Sequence, residues 1–279
     1  MTTHVLRFLA VALLTGVPLA QAQSPAADAP KPTPRIADGH PDLNGVWGGG
    51  FGGGDDNFVQ KGNTTIVVFQ LEGADPINGQ GLFARLDQRG VERKANASNK
   101  PPYKPELAAR LKETSELQAR LDPAFYCKPE GVPRMGAPSQ IVQTPGQIVL
   151  LYEGRNTFRV FPTDGRPHRG DVDPSWNGDS VGRWDGDTLV VDVNQFTDES
   201  WLGADGWFHS DKMHVVERFR READVLTYSA TVEDPVYFSG PWEIAPRRLR
   251  LQTDASAALM ESPPCYEKSG PNMVTNDHH

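Results

Sequence analysis

Residues 212–220 read KMHVVERFR, and apolar and polar side chains alternate along them. The odd positions hold Met213, Val215, Glu217 and Phe219, whereas the even positions hold most of the charge. Alternation with a period of two is typical of a β-strand that buries one face. The stretch therefore predicts a strand, and it places one acidic residue on the apolar face.

Similar short runs recur through the C-terminal half, with turn pairs such as Asp164-Gly165 and Asp185-Gly186 between them. Gly45–Trp47 and Thr64–Gln70 add two further candidates near the N-terminus. Strands in this number predict an all-β protein, an antiparallel up-and-down β-barrel, with a two-sheet β-sandwich as the alternative. Together with 212–220, the candidate strands of the C-terminal half are 140–143, 147–153, 156–162, 187–194, 225–233 and 242–252.

One segment has helical periodicity. Between Tyr103 and Asp122, leucines recur at helical spacing with charged residues between them, and Pro123 follows. This pattern predicts a single external α-helix that packs its apolar side on the sheet.

The N-terminus is typical of an export signal. Arg7 precedes an apolar run from Phe8 to Leu14, and Ala20-Gln21-Ala22 fits a signal peptidase site. The run is shorter than the ~20 residues that a membrane span needs, so we expect a periplasmic or secreted protein without stable membrane insertion. The predicted organisation is a signal peptide over 1–22, a flexible Pro/Ala-rich arm over 23–35, a single domain over 36–268 and a disordered tail over 269–279.

The chain has two cysteines, Cys127 and Cys265. In an oxidising compartment the simplest interpretation is one disulfide between them, and two buried thiols are the alternative.

The charge balance excludes several functions. The chain has 28 Lys+Arg against 36 Asp+Glu, a formal net charge of -8, and an acidic chain is a poor ligand for nucleic acid. The Gly-rich run 48–54 lacks the Lys-Ser/Thr pair of a phosphate-binding loop. We therefore expect a small-molecule ligand or substrate, no nucleic acid and no cofactor, and the oligomeric state stays open.

Two parts of the sequence resemble known families. The stretch Asp42–Trp47 (DLNGVW) contains a Gly-x-Trp that is similar to the first strand of lipocalins and other calycins. That resemblance implies that Trp47 closes the floor of a barrel and that an arginine from a late strand covers its ring. The candidates for the cover are Arg247, Arg248 and Arg250.

A second resemblance covers most of the chain. The blocks PDLNGVW (41–47), CKPEGVPR (127–134), SVGRWDGDTLVVD (180–192) and HSDKMHVVERF (209–219) resemble an uncharacterised family of exported bacterial proteins. The resemblance implies a compact β-rich exported domain, and it transfers no activity.

The candidate catalytic residues are Glu217, His214, His209 and Asp192. If the odd face of 212–220 points inward, desolvation prepares Glu217 as a general acid or base, and a structural pairing with an arginine such as Arg183 is the alternative. If the faces are reversed, His214 points inward. Asp192 is either a hydrogen-bonded residue of a turn or strand end, or a functional residue that accepts from the ligand or orients a nearby histidine.

Two long loops are candidates for the mouth of a site. Loop 163–179 carries His168 and Trp176, and segment 198–211 carries Trp201, Trp207 and His209. An aromatic, histidine-bearing entrance would suit a planar or apolar organic ligand, and Arg183 would bind its polar groups. The alternative is that the aromatic side chains only pack the loops down. The spacing His168-x-x-Asp171-x-Asp173 is not specific for a metal, and we predict no metal site.

Together these features predict a periplasmic, cofactor-free enzyme that uses acid–base chemistry on a small, partly apolar organic molecule, as a lyase, isomerase, cyclase or hydrolase. The alternative is a lipocalin-like binding protein for an apolar small molecule.

Overall fold

A computed structural model describes residues 32–48, 57–61, 64–68, 100–153, 157–203, 205–254, 257–262 and Cys265. Nine antiparallel strands form a nearly closed barrel. They are β1 (Gly45–Gly48), β4 (Gln140–Thr144), β5 (Gln147–Tyr152), β6 (Thr157–Pro162), β7 (Asp179–Asp185), β8 (Thr188–Asn194), β9 (His214–Glu222), β10 (Val225–Glu233) and β11 (Trp242–Leu251). A separate hairpin joins β2 (Asn57–Lys61) to β3 (Thr64–Val68).

The strand order is β6-β5-β4-β1-β11-β10-β9-β8-β7. Neighbours in the chain are therefore neighbours in the sheet from β4 to β6 and from β7 to β11, and β1 joins the two meanders. The outer strands β6 and β7 approach each other, since the N–H of Gly165 donates to the carbonyl of Gly182 at 2.9 Å. The prediction of an up-and-down barrel is confirmed, and the sandwich alternative is not needed.

The alternation of burial shows which face of each strand points inward. On β9, Val215, Glu217 and Phe219 are fully buried, whereas Arg218 and Arg220 are exposed. Burying one large apolar side chain stabilises the fold by about 1.5–3 kcal/mol. The interior is filled by such side chains, which include Phe161, Leu189, Val191, Val193, Leu226, Tyr228 and Leu249.

The predicted strands match the observed ones with three differences, the first of which is that β2 was not predicted. Strand β7 was not predicted, because Gly182 and Arg183 interrupt its alternation. Gly182 has a packing role here, since a Cβ at this position would lie 3.2 Å from Phe161, Pro162 and Thr163. The predicted strand Thr64–Gln70 exists as β3, but it pairs with β2 and not with the nine-stranded sheet.

The single helix predicted between Tyr103 and Asp122 is broken. A 3₁₀ turn (Pro105–Leu107) leads into α1 (Ala108–Glu116), and α2 (Gln118–Leu121) follows after a break at Leu117. Neither the 3₁₀ turn nor α1 has a fully buried residue, so the predicted apolar packing face is weak. Polar side chains anchor α1 instead. The guanidinium carbon of Arg110 lies 3.9 Å from the centroid of the Phe208 ring, and Thr114 Oγ1 donates to the carbonyl of Gly206.

Trp47 is buried, and Arg221 covers its ring instead of one of the three predicted arginines. The indole is 2 % exposed and donates from Nε1 to the carbonyl of Leu43 at 3.0 Å. Arg221 of β9 lies 5.3 Å from the ring centroid and also donates to the carbonyls of Asp42 and Ala223. The assignment of this role to Arg247, Arg248 or Arg250 was wrong, because their strand β11 lies beside β1 in the sheet and is not the strand that reaches the ring.

Cys127 and Cys265 form a disulfide with a Cα–Cα distance of 5.7 Å, as predicted. Their separation of 138 residues encloses a long loop, for which the chain-entropy account gives about 4–5 kcal/mol of stabilisation. A few residues before Cys265, the N–H of Met260 donates to Glu153 Oε1, and the hydroxyl of Ser262 donates to the carbonyl of Glu153.

Ordered contacts begin before the predicted domain start at Ile36. Thr33 Oγ1 accepts from the N–H of Ala223, and Arg35 forms an ion pair with Asp187 at 2.8 Å. The predicted signal peptide and the tail over 269–279 lie outside the described residues. In the part of the chain that the structure describes, no helix is long and apolar enough to cross a membrane.

Candidate functional site

The acid predicted on the apolar face of β9 points into the barrel. Glu217 is 0 % exposed, and its Oε2 lies 2.7 Å from Arg159 Nη1. The hydroxyl of Tyr228 donates to Glu217 Oε1 at 3.1 Å. Arg159 also donates to Ser180 Oγ at 2.7 Å and to the Tyr152 hydroxyl at 3.3 Å. We call these five side chains the interior network.

The interior network is a buried ion pair braced by hydroxyl groups. Burial alone would lower the pKa of Arg159, but the Glu217 carboxylate outweighs it and raises that pKa. Burial raises the pKa of Tyr152 to about 12. Arg159 Nη1 and Glu217 Oε2 form an ion pair at 2.7 Å. Arg159 Nε has no hydrogen-bond partner among the described residues. The partner of Glu217 is Arg159 and not Arg183, which is exposed.

A second polar cluster lies on the opposite face of the sheet. His168 places Nδ1 2.9 Å from Asp179 Oδ2 and Nε2 2.8 Å from Asp192 Oδ1. The other oxygen of Asp192 lies 2.9 Å from His214 Nε2, and His214 Nδ1 lies 3.5 Å from Glu233 Oε2. These five side chains form an alternating series of acids and imidazoles, which we call the outer relay.

The elements of the barrel set the order of the outer relay. Asp192 and His214 sit on neighbouring strands, β8 and β9, at even positions that face outward. Glu233 is the register partner of His214 on β10. The loop that follows β6 folds back so that His168 lies between Asp192 and the first residue of β7, Asp179.

Two acids of the outer relay, Asp179 and Asp192, have lowered pKa values. Burial would raise the pKa of Asp192, but hydrogen bonds from His168 and His214 outweigh burial and lower it. The pKa of Asp179 is lowered in the same way: burial opposes the shift, and hydrogen bonds from Arg169 and His168 outweigh it. Asp192 therefore acts as an anionic acceptor between two rings.

A cleft of about 410 Å³ opens beside His214, at the start of β9 and the end of β10. The His214 side chain is 34 % exposed and forms part of its wall. When Nε2 donates to Asp192, Nδ1 keeps its lone pair and can act as a base. The other residues that line the cleft are Lys212, Glu233, Asp234, Pro235, Phe238, Ser239, Gly240 and Pro241.

His209 is a separate, interior histidine. It is 2 % exposed, its Nδ1 donates to the carbonyl of Ser210 at 3.1 Å, and its Nε2 lies 2.8 Å from Ser200 Oγ. Burial lowers the pKa of His209, so the ring stays neutral and accepts from the serine. Ser200 is also 2 % exposed, so the pair holds the segment in place and does not reach the cleft.

The predicted aromatic entrance is dispersed. Trp201 is 7 % exposed and its backbone pairs with Phe208. Trp207 packs edge-on against Trp242, with ring centroids 5.5 Å apart. Trp176 lies under Lys128, whose Nζ is 5.7 Å from the ring centroid. These contacts pack the loops down, and no tryptophan among the described residues lines the cleft.

Sequence reasoning named His168, Asp192 and His214, and the structure brings these three together. The sequence did not predict Asp179, Lys212 or Glu233 as residues of the site. A signal for Glu233 was present, because the short turn between β9 and β10 fixes the register and places Glu233 opposite His214. Within the described residues, no group of three or more His, Cys, Asp or Glu side chains is arranged to hold a metal ion.

Comparison of the chain with models of protein families, with curated proteins and with solved structures returns no match.

Proposed function

We propose that this protein is an exported enzyme that transfers a proton to or from a small, partly apolar organic molecule held in the cleft, with His214 as the acid–base group. One observation carries the proposal: a half-exposed imidazole in a cleft wall whose second nitrogen is bound by an ionised carboxylate. A positioned base of this kind typically contributes about 10²–10⁴-fold to a rate.

Asp192 gives His214 its tautomer and its orientation. The carboxylate accepts from Nε2, so the free lone pair of the neutral ring is Nδ1, which lies on the side of Glu233. When Nδ1 takes a proton, the imidazolium lies between the carboxylates of Asp192 and Glu233, which stabilise its charge. The reverse transfer returns the proton to the product.

His168 acts one step further from the cleft. It binds Asp192 Oδ1 while His214 binds Oδ2, so neither oxygen of the carboxylate is free to turn away. Asp179 in turn holds His168 and also accepts from Arg169. This arrangement resembles the fixed acid–imidazole pairs by which enzymes orient a base.

We place Glu217 and His209 outside the reacting groups, because both are buried and already bonded to interior partners. The disulfide supports export, since such bonds persist outside the reducing cytosol. A periplasmic or secreted location is part of the proposal.

A binding protein is the second candidate, and the barrel architecture is the observation that favours it. The barrel interior is filled by apolar side chains and the interior network, so a carried ligand would also occupy the outer cleft. The two candidates then differ only in turnover.

The test is hydrogen–deuterium exchange. The full mature chain is incubated in D₂O with a panel of small carbonyl compounds and amines, and exchange at carbon is followed by NMR. We expect at least one compound to exchange, and His214→Gln to slow that exchange by 100-fold or more. The matched control is His40→Gln, because His40 stacks on Trp184 and is not part of the cleft wall.

Exchange that survives in His214→Gln contradicts the proposal. A ligand retained by the purified protein, identified by mass spectrometry and never converted, supports the binding protein instead.

A further inference from the structure

We infer that the cleft beside His214 selects a positively charged amine carried on an apolar body. The inference deepens the proposed function and rests on it for the role of the site, but its charge preference is measured by binding alone.

Acids outnumber cations around the cleft, even when the Lys104 ammonium, which donates to the carbonyls of Pro235 and Val236, is counted. Glu233 and Asp234 are in its wall, and Asp192 lies directly behind His214. Lys212, also in the wall, has its ammonium 2.8 Å from Asp211, which offsets its charge. A cation entering the cleft therefore meets an attractive field, and an anion meets a repulsive one.

Asp234 does not need a cation to balance it. Its carboxylate accepts from the N–H and hydroxyl of Ser210 at 2.7 and 2.8 Å, and from the N–H groups of Val236 and Tyr237 at 3.0 Å. These donors hold the acid in place, 2 % exposed, as a fixed negative charge under the cleft. It contributes to the field without meeting the ligand.

Glu233 is the acid that can meet the ligand. Its side chain is 58 % exposed, and its contact is His214 Nδ1 at 3.5 Å, which is longer than a hydrogen bond. An ammonium group bound by this carboxylate would lie next to the proposed base. The neighbouring N–H or C–H bonds of the ligand would then be the ones presented to His214.

The rest of the wall is suited to an apolar body. Phe238, Pro235 and Pro241 are the apolar residues of the wall. A volume of about 410 Å³ is within the range of sites for small organic molecules. A wall that combines a carboxylate with apolar surface defines an amphipathic amine as the ligand class.

Three probes with the same ring and different charges test this inference: benzylammonium, benzyl alcohol and benzoate. Binding to the full mature chain at pH 7 is measured by NMR titration, with the His214 ring resonances as the reporter. We expect benzylammonium to bind at least fivefold tighter than benzyl alcohol, and benzoate to bind more weakly than either.

Glu233→Gln is the diagnostic variant. It should remove most of the preference for benzylammonium, because Asp234 and Asp192 remain, and it should leave the binding of benzyl alcohol unchanged. The matched control is Glu243→Gln, because Glu243 is an exposed acid of β11 that accepts from Thr231 and is not part of the wall. This control should keep the preference for the cation.

Equal binding of the three probes, tighter binding of benzoate, binding of none at millimolar concentration, or an unchanged preference in Glu233→Gln each overturns the inference. The proposed function fails separately. A cation preference that persists without any His214-dependent exchange leaves the inference standing, whereas His214-dependent exchange of neutral or anionic compounds alone overturns the inference and keeps the function.

Discussion

The barrel carries two polar systems, one on each face of the sheet, and they differ in how far solvent reaches them. The interior network is sealed: Glu217 is 0 % exposed and its charge is matched by Arg159. The outer relay is half open, with His214 34 % exposed and Asp192 45 % exposed. A buried pair fixes structure because neither partner can leave, whereas a half-open series can exchange a proton with a bound molecule. Burial of an acid alone therefore does not identify a reactive group.

Removing one partner of the interior network should give the largest effect. In Glu217→Ala the Arg159 cation is left buried without its counter-ion, so we expect a loss of about 3–5 kcal/mol in the free energy of unfolding. Asp192→Ala should cost less than about 1 kcal/mol, because the ion pairs of a half-exposed acid are screened by solvent. Urea unfolding at pH 7 measures both, and similar losses would contradict the distinction.

The double replacement Arg159→Met with Glu217→Leu checks the same point from the other side. It removes both charges together, so we expect it to recover most of the stability lost in Glu217→Ala. Urea unfolding of this variant beside Glu217→Ala measures the recovery. A double variant as unstable as the single one would show that the two charges do not act as a pair.

Asp179 should make the free energy of unfolding depend on pH. Its pKa is lowered in the folded chain, so its contribution is present above the unfolded value of about 3.9 and is lost as the pH falls through the lower folded value. Asp179→Asn should cost about 1–3 kcal/mol at pH 7 and should lose less stability between pH 5 and pH 2 than the native chain does. Urea midpoints across that range measure it, and parallel curves would argue against the role.

The smallest expected effect is coupling between the two histidines of the outer relay. They bind opposite oxygens of Asp192, so removing one changes what the other contributes. A double-mutant cycle with His168→Gln and His214→Gln, measured by urea unfolding, should give an interaction free energy of about 0.5 kcal/mol, which is the low end for residues that share a partner. The same cycle on an Asp192→Asn background should give no coupling, and coupling that persists there would contradict the shared contact.

Much of the barrel could be predicted, because a strand that buries one face has apolar and polar residues in alternation. Strand β9 shows this, since its inward residues were named from alternation alone. Strand β7 could not be found in the same way: Gly182 is required by close packing against β6, and packing between distant segments leaves no local pattern.

The candidate site was only partly predictable. Asp192 and His214 were named for their chemistry, but their meeting depends on the register of β8 and β9. The pairing of Glu217 with Arg159 joins β9 to β6, which are far apart in the sheet and meet across the interior. Arg183 was the nearer choice in the sequence, yet it lies at an outward position of its strand. Long-range partners of this kind require the closed barrel.

The disulfide has a topological consequence. Cys127 precedes β4 and Cys265 follows β11, so eight of the nine barrel strands lie within one covalent ring. The ninth, β1, lies outside the ring and joins its first and last strands by hydrogen bonds to β4 and β11. A protease that cuts the loop carrying His168 would therefore leave both fragments tethered, and only a reducing gel would separate them.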